Sequence, residues 1–237
     1  VYVKFKLPAN TWGLNKKGPV YLIAWTTTPW TLPANAALAL NPNATYVGVV
    51  YKDETWVVSE SCLPKLRDLT KAPLLISFSN LFQKNTFKEK ITAQNPLDIP
   101  VEGKYYFPSV IILDDCVDPQ FGTGILHVAP GHGPEDYLIG LRHSLPVICP
   151  VNEYGKFTKY GAGLGFFDDE DGITAPATLL GRSVLASNLE IISQLQRVNA
   201  LVAREDITHR YPHCWRCHKE VIFRATKQWF ICLDTEF

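Results

Sequence analysis

A β-rich α+β fold is predicted by three observations: eight short segments are rich in strand-forming residues, turn residues punctuate them, and only three segments carry helical spacing. The first strand is expected over 2–7, which opens in alternating strand-like sequence. The second covers 19–27, and its stretch from Val20 to Ala24 is almost continuously apolar, which predicts burial on both faces. Pro29 and Pro33 should stop that strand and fix the loop that follows. Further strands are expected over 45–51, 55–58, 73–78, 86–92, 105–113 and 123–128, separated by Pro, Asn, Asp and Gly. Helices are expected over 59–69, 135–143 and 184–198. In the last of these, Leu185, Leu189, Ile192 and Leu195 recur at helical spacing and should pack on the core. The run 160–172 combines four glycines with Asp168, Asp169, Glu170 and Asp171. Its spacing does not match a calcium-binding EF-hand loop, so it reads as a solvated surface loop.

Bulk properties narrow the class. A chain of 237 residues can bury one substantial core with a small appendage. No apolar run approaches the roughly twenty residues that span a bilayer, and no secretory leader is visible. Six cysteines without framework spacing argue against a secreted disulfide scaffold. A soluble intracellular enzyme is expected, with no membrane partner. The chain lacks methionine and begins directly in strand-like sequence, which predicts that the natural protein extends upstream. Its 23 basic and 23 acidic residues balance, so a grip on nucleic acid through phosphate charge alone is disfavoured.

The densest chemistry lies at Trp25-Thr26-Thr27-Thr28-Pro29-Trp30-Thr31-Leu32-Pro33-Ala34-Asn35. Four hydroxyls, an amide and two indoles crowd the end of an apolar strand, the layout of a pocket wall. Threonines alone also suit an ordinary strand end, where their hydroxyls satisfy backbone groups.

A second constellation follows at Gly122-Thr123-Gly124-Ile125-Leu126-His127-Val128-Ala129-Pro130-Gly131-His132-Gly133-Pro134-Glu135-Asp136-Tyr137. On a strand, Leu126 and Val128 share one face while Ile125 and His127 share the other. Gly131 and Gly133 permit a tight turn, and Pro134 suits the first position of a helix. Asp136 then falls in the first helical turn, where the macrodipole favours negative charge and suits it to holding a cation. Ordinary first-turn acids and a hydrogen-bonded strand histidine would give the same pattern. A phosphate cradle at Gly131-His132-Gly133 is weaker, because no Gly-Lys-Ser or Gly-Lys-Thr follows.

Together, in this order, the two strings closely resemble the signatures of the editing domain inserted in isoleucyl-tRNA synthetases of bacterial and organellar type. Pro29-Trp30, where valyl and leucyl relatives typically carry Arg-Pro, points to the isoleucyl branch. A third segment, 207–230, resembles the strand-rich return towards the synthetase body. The resemblance implies a barrel-like editing domain with peripheral helices over 1–204, including the strands that lead into it, and a return segment over 205–237.

In the return segment Cys214 and Cys217 form a CxxC pair flanked by His213 and His218. One such pair supplies half of a tetrahedral zinc site. Reduced, unliganded cysteines are the simpler expectation here, and any native zinc would be structural and belong to the full-length enzyme.

The chemistry implied by the resemblance is hydrolysis of mischarged valyl-tRNA(Ile), with valyl-adenylate a second possible substrate. Asp136 would hold the valine α-ammonium, and Thr28 and His127 would line the side-chain pocket. Thr26, Thr27 and Asn35 would orient the terminal adenosine, the ester carbonyl and the attacking water, with Thr31 and Trp30 supporting the rim. Trp30 and neighbouring aromatics could stack on the single-stranded terminus. No Ser-His-Asp set or HExxH metal site is evident, so direct attack by water is expected and editing needs no cofactor. The implied partners are the aminoacylated 3′ end of tRNA(Ile), the valine moiety and the rest of the synthetase chain. Aminoacylation is not expected, because the HIGH and KMSKS nucleotide-binding signatures are absent. Competing readings are a noncatalytic module that binds a tRNA end, a zinc-dependent hydrolase built on Cys214 and Cys217, and a freestanding deacylase.

Overall fold

A computed structural model of the protein describes residues 1–14, 18–78, 90–97, 108–158, 177–208, 210–229 and 231. Among them the strands are β1 (Tyr2–Lys6), β2 (Val20–Trp25), β3 (Ala37–Leu40), β4 (Tyr46–Tyr51), β5 (Glu54–Ser59), β6 (Leu75–Phe78), β7 (Thr92–Ala93), β8 (Ser109–Leu113), β9 (Ile125–Val128) and β10 (Leu201–Ala203). Three α-helices, α1 (Leu63–Thr70), α2 (Pro134–His143) and α3 (Asn188–Arg197), lie at the periphery. None is long and apolar enough to cross a membrane.

The strands form one mixed sheet in the order β6-β4-β5-β2-β9-β3-β8-β7, with β1 on the other edge of β2 and β10 beyond β1. β2 runs parallel to β5 through Val20–Leu22 and reaches β9 at its last residue, where Trp25 pairs with Leu126. β9 then runs antiparallel to β3, placing His127 opposite Leu38. Past β7, the Gln94 N–H donates to the Lys6 carbonyl at 2.8 Å, and the two residues form an antiparallel bridge. The path β1-β2-β9-β3-β8-β7 therefore returns to its first strand, which makes the sheet barrel-like.

Alternation along each strand sorts side chains between the inside and outside of this curl. Val3, Phe5, Leu22, Ala24, Leu38, Leu40 and Ile125 pack together inside. Ala37, Ala39 and Val128 face outward against Ile139 of α2, and small alanines let that helix approach closely. Tyr2, Ile23, Val47, Val49 and Trp56 form a third cluster with Leu63 and Leu66 beside α1. Burying each large aliphatic side chain contributes about 1.5–3 kcal/mol, so β2, buried on both faces, anchors the site at its end.

The expected strands over 2–7, 19–27, 45–51, 73–78 and 123–128 are present with shorter bounds, and that over 55–58 extends one residue further at each end. Much of 86–92, part of 105–113 and all of 160–172 lie outside the described residues. Two strands, β3 and β10, were not expected, and the stretch after Thr28 is a six-residue 3₁₀ helix, Pro29–Ala34, instead of an irregular loop. Its start suits Pro29, which needs no N–H partner there. In α3 the core face is Ile191 and Leu195, whereas Leu189 is 68% exposed, which corrects its expected place in the core. The helix begins only at Asn188, after the 3₁₀ turn Leu185–Ser187. Leu185, Ile192 and Leu195 pack on the core as expected, whereas Leu189 lies about 200° around the α3 axis from the buried Ile191 and points outward.

Candidate active site

β2 and β9 end side by side, and the segments leaving them build one cavity of about 350 Å³. From the first segment come Trp25, Thr26, Thr27, Thr28 and Thr31, and from the second come Leu126, His127, His132 and Asp136. The connection after β8 closes the side with Cys116, Asp118 and Phe121. A hundred residues of sequence separate the two polar walls, and the parallel pairing of Trp25 with Leu126 brings them together.

The threonines form a chain. The Thr28 N–H donates to the Thr26 hydroxyl at 3.1 Å, and the Thr31 hydroxyl donates to the Thr28 carbonyl at 2.9 Å. The Thr28 hydroxyl lies 3.3 Å from that of Thr26 and 3.4 Å from that of Thr31. Thr27 is exposed to the cavity, with no hydrogen bond to a described residue.

His127 is buried inside the curl, on the same face as Ile125, and both ring nitrogens are engaged. Nδ1 lies 2.6 Å from the Asn35 side-chain nitrogen, and Nε2 lies 3.0 Å from the Thr31 hydroxyl. An amide nitrogen can only donate, so Nδ1 accepts. The Thr31 proton is used on Thr28, so Nε2–H donates to Thr31. Burial pushes the His127 pKa down to about 3, with His132 adding repulsion, so the ring is neutral near pH 7. A histidine whose lone pair is already taken is a rigid wall and a poor base.

Asn35 stands behind that wall. It is 1% exposed, its amide nitrogen also donates to the Ala37 carbonyl at 2.9 Å, and its oxygen accepts from Ser109. It therefore does not reach the cavity, and the expected contact with adenosine, ester or water is replaced by a grip on His127. Trp30 is likewise 3% exposed within the core, so it cannot stack on a terminus. Its ring meets His132 edge-on at 4.9 Å and 73°. The aromatics at the cavity edge are instead Trp25 and the largely exposed Phe121, 4.9 Å apart and nearly perpendicular.

Asp136 occupies the first turn of α2 as expected, and its Oδ2 accepts from the Ala129 N–H at 2.9 Å. Burial pushes its carboxyl up to about 6, outweighing that hydrogen bond, with Glu135 adding repulsion. Desolvation thus dominates over any stabilisation by the helix terminus, yet the group is ionised near pH 7. A carboxylate held this way gains most from a cation entering the cavity. α2 is pinned at its other end by Asp114, which accepts from Arg142 at 2.8 Å and His143 at 2.9 Å. Burial raises the Asp114 carboxyl, but these bonds and those from Cys116 hold it well below the usual carboxylate range.

His132, for which the sequence offers only the weak phosphate-cradle pattern, stands in the cavity wall. The turn bearing it is tight: a Cβ on Gly131 would lie 2.0 Å from the Ile148 carbonyl oxygen. The return segment packs directly on this turn, with the Ala225 N–H donating to the Gly131 carbonyl at 2.8 Å. A histidine between two glycines beside a helix start was the available signal. For Phe121 the sequence offered none.

The return segment carries no regular strand among the described residues, only a bridge between His213 and Glu220 that closes a turn around the CxxC pair. The N–H groups of Cys217 and then Arg216 lower the Cys214 pKa, which suits a thiolate ligand. Among the described residues no group of three or more His, Cys, Asp or Glu is placed to hold a metal ion. Cys214 and Cys217 thus fit half of a zinc site, which would supply structural cross-linking away from the cavity.

No protein-family model matches the chain. It is 39% identical over 237 residues to an isoleucine-tRNA ligase of Fervidobacterium pennivorans and 42% identical over 238 residues to one of Kosmotoga olearia, each time across 99% of this chain. The chain spans 22% of the length of each of these relatives. Among solved structures it resembles GlLeuRS-CP1, with a TM-score of 0.60 and 17% identity over 87% of this chain and 99% of that one. The P. knowlesi cytosolic leucyl-tRNA synthetase editing domain matches at a TM-score of 0.57 and 12% identity, covering 86% and 95% of the two chains. These structural likenesses establish the β-rich fold.

Proposed function

We propose that the chain, which matches one segment of isoleucine-tRNA ligases at 39% and 42% identity across nearly its whole length, is the proofreading domain of such an enzyme and hydrolyses valyl-tRNA(Ile). The observation that carries the reading is the meeting of the Thr26–Thr28 wall and the Asp136 carboxylate in one cavity.

The need for such a site is energetic. Valine lacks one methylene of isoleucine, worth only about 1–3 kcal/mol of discrimination, a limit for which the isoleucyl enzyme is itself the standing example. A second, smaller cavity reverses the selection by admitting valine and rejecting isoleucine on size. Asp136 pairs with the α-ammonium of the misplaced residue, while Thr28 and the immobilised ring of His127 bound its side chain. Overpacking against a wall that cannot yield costs about 1–3 kcal/mol, a second increment that multiplies the selectivity of the first.

Thr27, with its hydroxyl free of described partners, donates to the ester carbonyl as charge develops there. Water attacks directly, because both His127 nitrogens are engaged and, among the described residues, no hydroxyl of the cavity is paired with a free base as an activated nucleophile. The Trp25 and Phe121 rings at the rim offer stacking surface for the terminal base, which suits a chain without excess positive charge.

Deacylation of valyl-tRNA(Ile) tests the reading. The parent protein should release valine, and Asp136→Ala should abolish release while leaving the fold intact. Undiminished release by the variant would remove the ammonium anchor, and an inactive parent would favour a noncatalytic module.

A further inference from the structure

We infer that His132 is a further catalytic residue, whose Nε2 accepts a hydrogen bond from the attacking water and aims it at the ester carbonyl. The inference rests on the proofreading reading above and names the group that handles its water.

Geometry carries the assignment. His132 is 7% exposed, and the surface it keeps lines the cavity shared by Thr26, Thr27, Thr28 and Asp136. Its Nδ1 lies 3.1 Å from the Phe223 carbonyl oxygen. A carbonyl can only accept, so Nδ1 carries the proton and Nε2 presents a lone pair. Nε2 makes no hydrogen bond to any described residue, and it is not among the buried polar atoms sealed away without a partner. It is therefore open to whatever enters the cavity.

Apart from the Thr27 hydroxyl, which faces the ester, and Asp118, which accepts from the Gln120 N–H through one oxygen, the cavity's side-chain acceptors are committed. Nδ1 of His127 is taken by Asn35, and Oδ2 of Asp136 by the Ala129 N–H, leaving its second oxygen for the ammonium. The Thr26, Thr28 and Thr31 hydroxyls serve one another. A buried nitrogen lone pair left unsatisfied costs stability, and one facing a water site escapes that cost.

The ring is also held for the task. Trp30 abuts it edge-on, the Ala225 N–H fixes the carbonyl of Gly131 before it, and Phe223 sets its tautomer. Burial, assisted by Arg224 and opposed by the Phe223 bond, pushes its pKa down to about 4, so it is neutral near pH 7. Such a weak base orients water without retaining its proton. In the step itself the water oxygen bonds to the ester carbon, the bond from that carbon to the ribose oxygen breaks, and one water proton ends on the ribose hydroxyl. The second leaves with the ionising valine carboxyl, and His132 is unchanged.

Two substitutions separate this role from a structural one. In His132→Asn the amide can still donate to Phe223 but no nitrogen reaches the cavity. In His132→Gln the Phe223 bond is lost and an acceptor stays near the Nε2 position. With the protein as its gene encodes it and valyl-tRNA(Ile) as substrate, kcat should fall about a hundredfold in His132→Asn, with KM and Tm close to the parent, and recover about tenfold in His132→Gln. A His132→Asn enzyme as fast as the parent, or a His132→Gln enzyme no faster than His132→Asn, overturns the inference while an active parent keeps the proofreading reading. A parent without deacylation overturns both.

Discussion

The side-chain amide of Asn35 donates to Nδ1 of His127 at 2.6 Å, and this buried contact turns a titratable side chain into a fixed wall. Asn35 can do so because its remaining groups are also satisfied, by Ala37 and Ser109. The size limit of the cavity therefore depends on a residue that never touches its contents.

Replacing Asn35 with alanine leaves the His127 nitrogen and the Ser109 hydroxyl without their partner in the interior. A loss of about 1–3 kcal/mol is expected, visible as a lowered Tm. Freed, the His127 ring can rotate, so release of isoleucine from isoleucyl-tRNA(Ile) should rise relative to release of valine. An unchanged ratio would show that the ring is held by packing alone.

Thr28→Ala and His127→Ala enlarge the cavity directly. Both should hydrolyse isoleucyl-tRNA(Ile) faster than the parent does, and His127→Ala should also destabilise the fold, because Thr31 and Asn35 lose a partner together. If neither variant accepts isoleucine, these residues do not bound the side-chain site.

Asp136 links function to pH. Its pKa of about 6 means that the carboxyl protonates as pH falls through that value, so deacylation should decline below it. The folded state binds this proton more tightly than the unfolded chain, whose carboxyl titrates near 3.8. Stability attributable to the group is therefore highest below about pH 4 and declines as pH rises towards 6. Asp136→Asn should raise stability at pH 7 by up to about 3 kcal/mol while removing activity, and the gain should vanish at pH 3.5. Thermal melts at the two pH values check both signs.

Asp114 has the opposite sign. Its carboxyl is held low by Cys116, Arg142 and His143, so its contribution is present above about pH 4 and fades as acid approaches its depressed folded value. Asp114→Asn should cost about 2 kcal/mol at pH 7 and progressively less in acid. Because Asp114 anchors the end of α2 distant from Asp136, valine release should weaken as well.

Where residues announce their surroundings by pattern, the sequence was legible. The apolar run of β2, the alternation of β9 and the Gly-Pro start of α2 appear where expected. β3 escaped because Ala37-Leu38-Ala39-Leu40 has helix-forming residues and no polar alternation. Pairing with β8 and β9 overrides that propensity. The threonines, His127 and Asp136 line one cavity, whereas Asn35 and Trp30 belong to a supporting layer. A motif lists residues without depth, so a side chain that holds a wall reads the same as one in the wall. Leu189 shows a related limit: its spacing from Leu185 suits a core position, but it stands two residues before Ile191 and so on the opposite face of α3.

The most direct measurement is a crystal structure with a nonhydrolysable valyl-adenosine analogue bound. The α-ammonium should lie within hydrogen-bonding distance of Asp136, the valine side chain between Thr28 and His127, and the adenine at the Trp25 and Phe121 rim. An analogue seated elsewhere, such as on the Cys214 turn, or bound with its ammonium turned away from Asp136, would contradict the proposed function.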